Sequence, residues 1–366
     1  MRRRFVIALF IWILLHVYAG VRLIPPLGLG VWGTALAWTI VAALGLAPLA
    51  ALVTVPQRQI GRTVRWIGWT SMGLSTLIIV MVLATDILFV RLWGVPAWVL
   101  SPLILAAATV STAIGAWRAR RPQVVRVDVP IRSLPADLEG FRIVQLTDLH
   151  VGSTIRRHFV QAVVDLANGL APDLVAFTGD VADGTVPGLH PEVAPLADLA
   201  APYGKFFVSG NHEYYWDALA WIAEIERLGF NVLTNEHRLL ERGAGRLLLA
   251  GVTDAGASRR VPGHASDPGA ALAGAPPADV KILLAHQPRS AFAAQAAGFD
   301  LQLSGHTHGG QFPFNVLVRI GQPFVSGLHR LGALWVYVSQ GTGYWGPPLR
   351  LGAPPEITLI ELHAAT

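Results

Sequence analysis

The sequence predicts a four-helix transmembrane region followed by an α/β domain. Four long apolar stretches open the chain, short apolar runs alternate with helical or loop segments from Phe141 onward, and the charge balance changes sign near residue 122. Residues 1–122 carry eleven Arg, no Lys and one acid, Asp86, whereas the remainder holds 17 basic and 22 acidic residues. The basic excess belongs to the first third alone. A nucleic-acid partner would want that positive field on the functional domain, so none is expected. No cysteine is present, which excludes disulfides, thiolate metal sites and cysteine nucleophiles. The expected division is a four-span region over 1–122, a linker and opening strand over 123–140, and the α/β domain over 141–366.

The four apolar stretches run from about Phe5 to Leu23, Leu29 to Val53, Trp66 to Val90 and Ala97 to Trp117. Each approaches or exceeds the roughly 20 residues a helix needs to cross a bilayer. The first, behind Arg2-Arg3-Arg4, lacks a small-residue cleavage site and is followed by three more, so it reads as a span rather than a signal peptide. Arg2, Arg3, Arg4, Arg58, Arg62, Arg65, Arg118, Arg120 and Arg121 fall on one side, and only Arg22 and Arg91 on the other. The positive-inside rule then places both termini and the large domain in the cytoplasm, on a multi-pass inner-membrane protein. Trp66, Trp93, Trp98 and Trp117, near span ends, suit interfacial belts. Asp86 and His16 are the ionisable groups within the spans. An interfacial place for Asp86, within reach of headgroups near Arg91, competes with a functional role.

In the second part, apolar runs at Arg142–Leu146, Asp173–Phe177, Lys205–Val208, Arg246–Gly251, Lys281–Leu284, Phe299–Leu303, Ala333–Ser339 and Glu356–Glu361 predict strands. His158–Asn168 and Asp217–Leu228 predict helices. Five short motifs follow five of those strands, where open α/β sheets place their sites. Asp148-Leu149-His150 puts a carboxylate and an imidazole two residues apart. Gly179-Asp180, Gly210-Asn211-His212-Glu213, His286 and Gly305-His306-Thr307-His308-Gly309-Gly310 come next. Each alone has an ordinary structural reading as a turn, a helix cap or a satisfied buried histidine. Five in order at strand ends point to one metal centre.

The order Asp-x-His, Gly-Asp, Gly-Asn-His-Glu, His, Gly-His-x-His resembles the calcineurin-like metallophosphoesterase superfamily. The Leu-Thr-Asp-Leu-His start, the Gly-His-Thr-His-Gly-Gly-Gln block and Pro354 to Thr358 are similar to its membrane-associated bacterial phosphodiesterase-like branch. The resemblance covers about residues 140–362. It implies a two-sheet sandwich flanked by helices. It also implies a first metal on Asp148, His150 and His308, and a second on Asn211, His286 and His306, with Asp180 bridging. His212 would not be a ligand but would face the leaving-group oxygen as a proton donor, and Glu213 reads as a helix-start or supporting residue.

Nitrogen and oxygen ligands suit Mn²⁺ first, with Zn²⁺, Fe or Co²⁺ also compatible. Two such ions about 3.5–4 Å apart acidify a shared water and favour in-line attack of its hydroxide on phosphorus. The expected activity is hydrolysis of a phosphodiester or pyrophosphate. A lipid-linked substrate such as a UDP-2,3-diacylglucosamine-like molecule is suggested by the anchor, by the apolar segment from Gln311 to Leu331 (Phe312, Phe314, Val316, Leu317, Val318, Ile320, Phe324, Val325) and by Tyr214-Tyr215-Trp216. Arg156, Arg157 and Arg350 are candidates for a phosphate or headgroup clamp, against the ordinary reading of solvated arginines. The rival class is a metal-binding membrane sensor or scaffold without turnover. A retained His212 speaks against it.

Overall fold

The computed structural model describes residues 2–53, 59–88, 94–311, 318 and 320–365, with the side chains of 2–4 and 59 excepted. Arg58, Val90, Arg91, Trp93, Phe312, Phe314, Val316 and Leu317, and the side chains of Arg2, Arg3 and Arg4, therefore lie outside the described residues. Two compact units emerge: Met1–Arg118 with Gly346–Leu351, and Ala119–Trp345 with Gly352–Thr366.

The first unit contains α1 (Arg2–Leu23), α2 (Val31–Val53), α3 (Gln59–Ile87) and α4 (Ala97–Ala119), each long and apolar enough to cross a membrane. The third helix starts earlier than its apolar stretch, because Arg62 and Arg65 continue it toward Gln59. A Cβ on Gly68 would run into the Ala47 carbonyl and the Ala51 side chain, so glycine permits the close approach of α2 and α3. Trp66, Trp98 and Trp117 are exposed on the helix surfaces. His16 is buried, with Nδ1 2.8 Å from the Trp12 carbonyl oxygen. Asp86 does not wait for a headgroup. It accepts from Arg22 Nε at 2.7 Å, from a second Arg22 nitrogen and from the Tyr18 hydroxyl. Low dielectric favours pairing a charge within the bundle over leaving it alone.

In the second unit the described residues form two six-stranded sheets. The first runs β1 (Gln123–Ile131), β12 (Glu356–Ala364), β2 (Phe141–Leu146), β3 (Leu174–Phe177), β4 (Lys205–Phe207), β5 (Asn231–Val232). Its strands are parallel except where β12 meets β2. The second runs β10 (Gly327–Leu331), β11 (Leu334–Val338), β9 (Leu301–Ser304), β8 (Val280–Leu284), β7 (Gly245–Gly251), β6 (Glu236–Arg242). Its four central strands are parallel and its two outer pairings antiparallel.

Alternation along each strand assigns the layers. Ile143, Leu174, Ala176 and Phe206 of one sheet share a core with Leu247, Leu249, Ile282, Leu284, Leu301 and Leu303 of the other, so the sheets pack face to face. The residues between them in sequence point outward. Val144 and Val175 meet Phe159, Val160 and Val163 of α5 (Arg157–Gly169) and Trp221 and Ile225 of α8 (Ala218–Arg227). Leu248, Ala250 and Leu283 meet Ala291 and Ala294 of α9 (Ala291–Ala297). Strands covered on both faces need side chains apolar at every position, which is why they read as unbroken apolar runs. The short helices α6 (Val186–Val193) and α7 (Asn211–Trp216) complete the unit. Because β2, β3, β4, β8 and β9 are parallel within their sheets, their carboxyl ends present the five motif loops along two sheet edges.

Candidate metal centre

The five loops lock together through their backbones. Asp148 N–H donates to the Gly179 carbonyl at 2.9 Å, His150 N–H to Asp180 at 3.2 Å and Gly305 N–H to His286 at 3.0 Å. Gly343 N–H reaches the Asp148 carbonyl at 3.0 Å. Within this frame Asp148, His150, Asp180, His306 and His308 all adopt positive φ, between 52° and 73°. Non-glycine residues avoid that region, and holding five of them there requires the surrounding structure to over-determine the loops. Two glycines serve close approach. A Cβ on Gly305 would strike the Asp148 carboxylate and Thr147 hydroxyl, and one on Gly210 would strike the Asp180 carboxylate.

The side chains converge in two sets. In the first, His150 Nε2 lies 3.0 Å from His308 Nε2, and Asp148 Oδ1 lies 3.4 Å from His308 Nε2 and 3.9 Å from His150 Nε2. In the second, His286 Nε2 lies 3.1 Å from Asn211 Oδ1, 3.2 Å from His306 Nδ1 and 3.2 Å from Asp180 Oδ2. The same Asp180 oxygen is 3.8 Å from His150 Nε2 and so faces both sets. Imidazole nitrogens this close can hydrogen-bond to one another as donor and acceptor, or can turn their lone pairs to a shared cation. An all nitrogen and oxygen donor set fits first-row divalent ions. The structure thus brings together Asp148, His150, Asp180, Asn211, His286, His306 and His308, with His212 beside them at 4.0 Å from Asp180 Oδ2.

Supporting contacts aim these donors. His286 Nδ1 donates to the Thr178 carbonyl at 2.8 Å, which turns Nε2 inward, where it would offer its lone pair to a metal ion. Asp148 Oδ2 accepts from Thr147 Oγ1 at 2.7 Å and from the His306 N–H at 3.0 Å. Glu213 is fully buried in the first turn of α7 and is no ligand. Its oxygens accept from the N–H groups of Gly210 at 2.7 Å, Val181 at 2.8 Å and Asp180 at 3.0 Å, tying the second and third loops together. Asp183 went unnoticed in the sequence. Its Oδ1 lies 2.5 Å from His212 Nδ1, and its Oδ2 lies 3.3 Å from His150 Nδ1, close enough for charge pairing but outside hydrogen-bond geometry. The only signal for it was a second acid three residues after Asp180, in Gly-Asp-Val-Ala-Asp-Gly.

The protein's own charges set opposing protonation tendencies. Burial resists ionisation of Asp180, but the imidazoles of His286, His212 and His150 hold it well below the usual carboxylate range. Asp183 is likewise held low, by His150 and His212 against burial. Burial disfavours the His212 cation, yet Asp180 and Asp183 push its pKa up to about 9. Burial and the neighbouring His286 push His306 down to about 4. Burial and Asp180 lift Glu213 to about 7, against its three N–H donors.

Other sequence candidates fall elsewhere. Arg156 pairs with Glu192 at 2.5 Å and Arg157 donates to the Pro191 carbonyl at 3.0 Å, so neither offers a free clamp. Arg350 is buried and belongs to the four-helix unit. Tyr214 is buried, with its hydroxyl bonded to Ser209 and His264, whereas Tyr215 and Trp216 are exposed. A further cluster, Asp128, Glu361 and His363, lies on the neighbouring strands β1 and β12. Glu361 is shared there with Arg126 and Arg142, as in a surface ion-pair network.

A profile of the family described as calcineurin-like phosphoesterase matches residues 141–310. The chain is 40% identical over 276 residues to a transmembrane protein with metallophosphoesterase domain from Danio rerio, covering 73% of this chain and 63% of that one. It is 39% identical over 248 residues to an uncharacterized metallophosphoesterase from Campylobacter jejuni, covering 66% and 64%. A third similar protein, an uncharacterized metallophosphoesterase from Aquifex aeolicus, is 31% identical over 260 residues, covering 69% of this chain and 97% of its own length. The matched region spans less than two thirds of the Danio rerio and Campylobacter relatives.

Proposed function

Because the chain belongs to the calcineurin-like metallophosphoesterase family, we propose that it is a metal-dependent phosphoester hydrolase that cleaves a phosphodiester or pyrophosphate at a dinuclear centre, with residues 1–122 as its membrane anchor and 141–366 as its catalytic part. Asp148, His150 and His308 would hold one divalent ion, Asn211, His286 and His306 the other, and Asp180 both. The observation that carries this is the placement of Asp180 Oδ2, 3.2 Å from His286 Nε2 and 3.8 Å from His150 Nε2, where one carboxylate serves both donor sets. When bound, a dication pair supplies an acidified water and neutralises phosphate oxygens.

The chain's residues supply the remainder. Asn211 contributes an oxygen without a negative charge, which keeps the centre attractive to an anionic ester. His212, oriented by Asp183 at Nδ1, donates its Nε2 proton to the departing oxygen. Asp183 fixes the ring so that Nε2 faces the centre. The substrate is amphipathic and lipid-derived, of the UDP-2,3-diacylglucosamine type. Exposed Tyr215 and Trp345 flank His212, with ring centroids 5.0 and 5.9 Å away, and offer an apolar rim for a chain. The arginine asymmetry puts the catalytic part on the cytoplasmic face of the cell membrane.

Full-length protein in detergent, stripped with chelator and reloaded with Mn²⁺, should bind two ions per chain and hydrolyse bis-p-nitrophenyl phosphate. Asp180→Asn should abolish turnover. Metal retention without turnover on any phosphoester would instead establish a sensor. The chain has no cysteine, so Ala200→Cys gives a single thiol for sidedness. Labelling by an impermeant maleimide in intact cells would overturn the cytoplasmic placement.

A further inference from the structure

Beside His306 and Asn211 lies a pocket of about 440 Å³, also lined by Tyr215, Arg259, Arg260 and Arg289. Its volume is that of a ligand site rather than a surface dimple. Three arginines lining one concavity are the notable feature; among the described residues Arg132 and Arg330 likewise pair with no carboxylate but do not line it. Arg126, Arg142, Arg156, Arg227, Arg238, Arg242 and Arg246 of the same unit each pair with a carboxylate. Among the described residues, the three around this pocket pair with none.

Local structure keeps these guanidinium groups available. Arg259 closes a short turn, Ala257–Arg259, and Arg260 follows it, its guanidinium 5.2 Å over the Tyr215 ring. Asp254 is the one acid lining the pocket, and both its oxygens are committed. Oδ1 accepts from Gln287 Nε2 at 2.7 Å and Oδ2 from the Gly256 N–H at 2.6 Å. It therefore shapes the arginine turn and forms no ion pair with the three guanidinium groups, though its own charge remains. Among the described residues, Arg289 makes only a long contact, 3.4 Å, to the Gly321 carbonyl. Three guanidinium groups against the one Asp254 carboxylate leave a net positive concavity that shares two residues with the candidate metal centre, a field for a second negative group on the same molecule.

We propose that this pocket is an anion subsite, taking a phosphate or carboxylate that the substrate bears in addition to the phosphorus attacked. Resting on the phosphoesterase reading, this makes the preferred substrate doubly anionic, such as a pyrophosphate-linked or bisphosphorylated ester, rather than a simple diester. Guanidinium groups bind phosphate through paired N–H donors, so the subsite acts in binding and its loss is read in KM.

The test is a matched pair of chromogenic esters with the same scissile bond. Thymidine 5′-(p-nitrophenyl phosphate) carries one phosphorus, and its 3′-phosphorylated form carries a second anion. Full-length Mn²⁺-loaded protein should prefer the 3′-phosphorylated ester by about tenfold or more in kcat/KM, through KM. In Arg259→Ala/Arg260→Ala/Arg289→Ala that ratio should fall toward one, with an unchanged thermal unfolding midpoint. A ratio near one in the wild type, or a preference that survives in the triple variant, overturns the subsite. No turnover of either ester sinks the phosphoesterase reading instead. The subsite then stands or falls by binding isotherms of the two esters, where the same tenfold difference and its loss are required.

Discussion

In the proposed centre, His212 and Asp183 would divide the work between a proton donor and the group that orients it. Asp183 touches His150 on one side and His212 on the other, so its removal should loosen a metal donor and the proton donor together. Asp183→Asn should cost about 10- to 100-fold in Mn²⁺ affinity or in activity, read by metal titration against turnover. His212→Asn should separate substrates by leaving group. Alkyl esters, whose departing oxygen needs a proton, should slow by about 10²- to 10⁴-fold, whereas nitrophenyl esters should lose far less. Equal losses would remove His212 from the proton-donor role. In chelated protein the same residue predicts a pH dependence. Its pKa rises on folding from 6.5 to about 9, so the stabilisation it brings is complete below 6.5 and is lost as pH climbs through about 9. The fall in unfolding midpoint over that range should be shallower in His212→Asn. At this scale the side chains that converge were legible because each lies just past the carboxyl end of an apolar run. Asp183 was not, because its partners arrive from the loops after β2 and β4 and leave no local pattern.

Among elements, the central strands were legible for a physical reason. Burial on both faces forces unbroken apolar runs, and β2, β3, β7, β8, β9 and β11 fall where such runs predict them. The peripheral strands β6 and β10 expose or half-expose most of their residues and carry no comparable signal. Nor does periodicity reveal the order β1-β12-β2, which pairs Gln123 with Glu356 across most of the domain. The two-sheet arrangement came from the family resemblance rather than from local pattern. Loop closeness is testable through glycine. Gly210 has φ of −96°, which alanine adopts freely, but its Cβ would enter the Asp180 carboxylate. Gly298, at the end of α9, has φ of 81° with open space around it. Gly298→Ala should therefore cost about 1–2 kcal/mol of stability and leave metal binding intact. Gly210→Ala should lose metal stoichiometry even if the fold survives. Retention of two ions in Gly210→Ala would show that the Asp180 carboxylate has room to move.

For the molecule as a whole, four helices long and apolar enough to cross a membrane would confine the proposed hydrolase to its surface. Tethering converts encounter with a membrane-borne ester into a quasi-intramolecular event, at effective concentrations of about millimolar for short flexible linkers. A soluble ester gains nothing from this, so the two substrate classes should respond differently to the lipid environment. The exposed rings beside His212 make that difference specific. Tyr215 and Trp345 are 54% and 55% exposed, and covering large apolar side chains is worth about 1.5–3 kcal/mol each. An acyl chain laid across them would recover much of that energy, whereas a nitrophenyl diester covers little of it. In nanodiscs, Tyr215→Ser/Trp345→Ser should lower kcat/KM for a long-chain phosphoester by at least tenfold and for bis-p-nitrophenyl phosphate by about twofold or less. In detergent the long-chain preference of the wild type should shrink, because the tether no longer shares a surface with its substrate. Equal losses on both esters would mean that the rings merely pack around His212, and the case for a lipid-derived substrate would then fall while the metal chemistry stood.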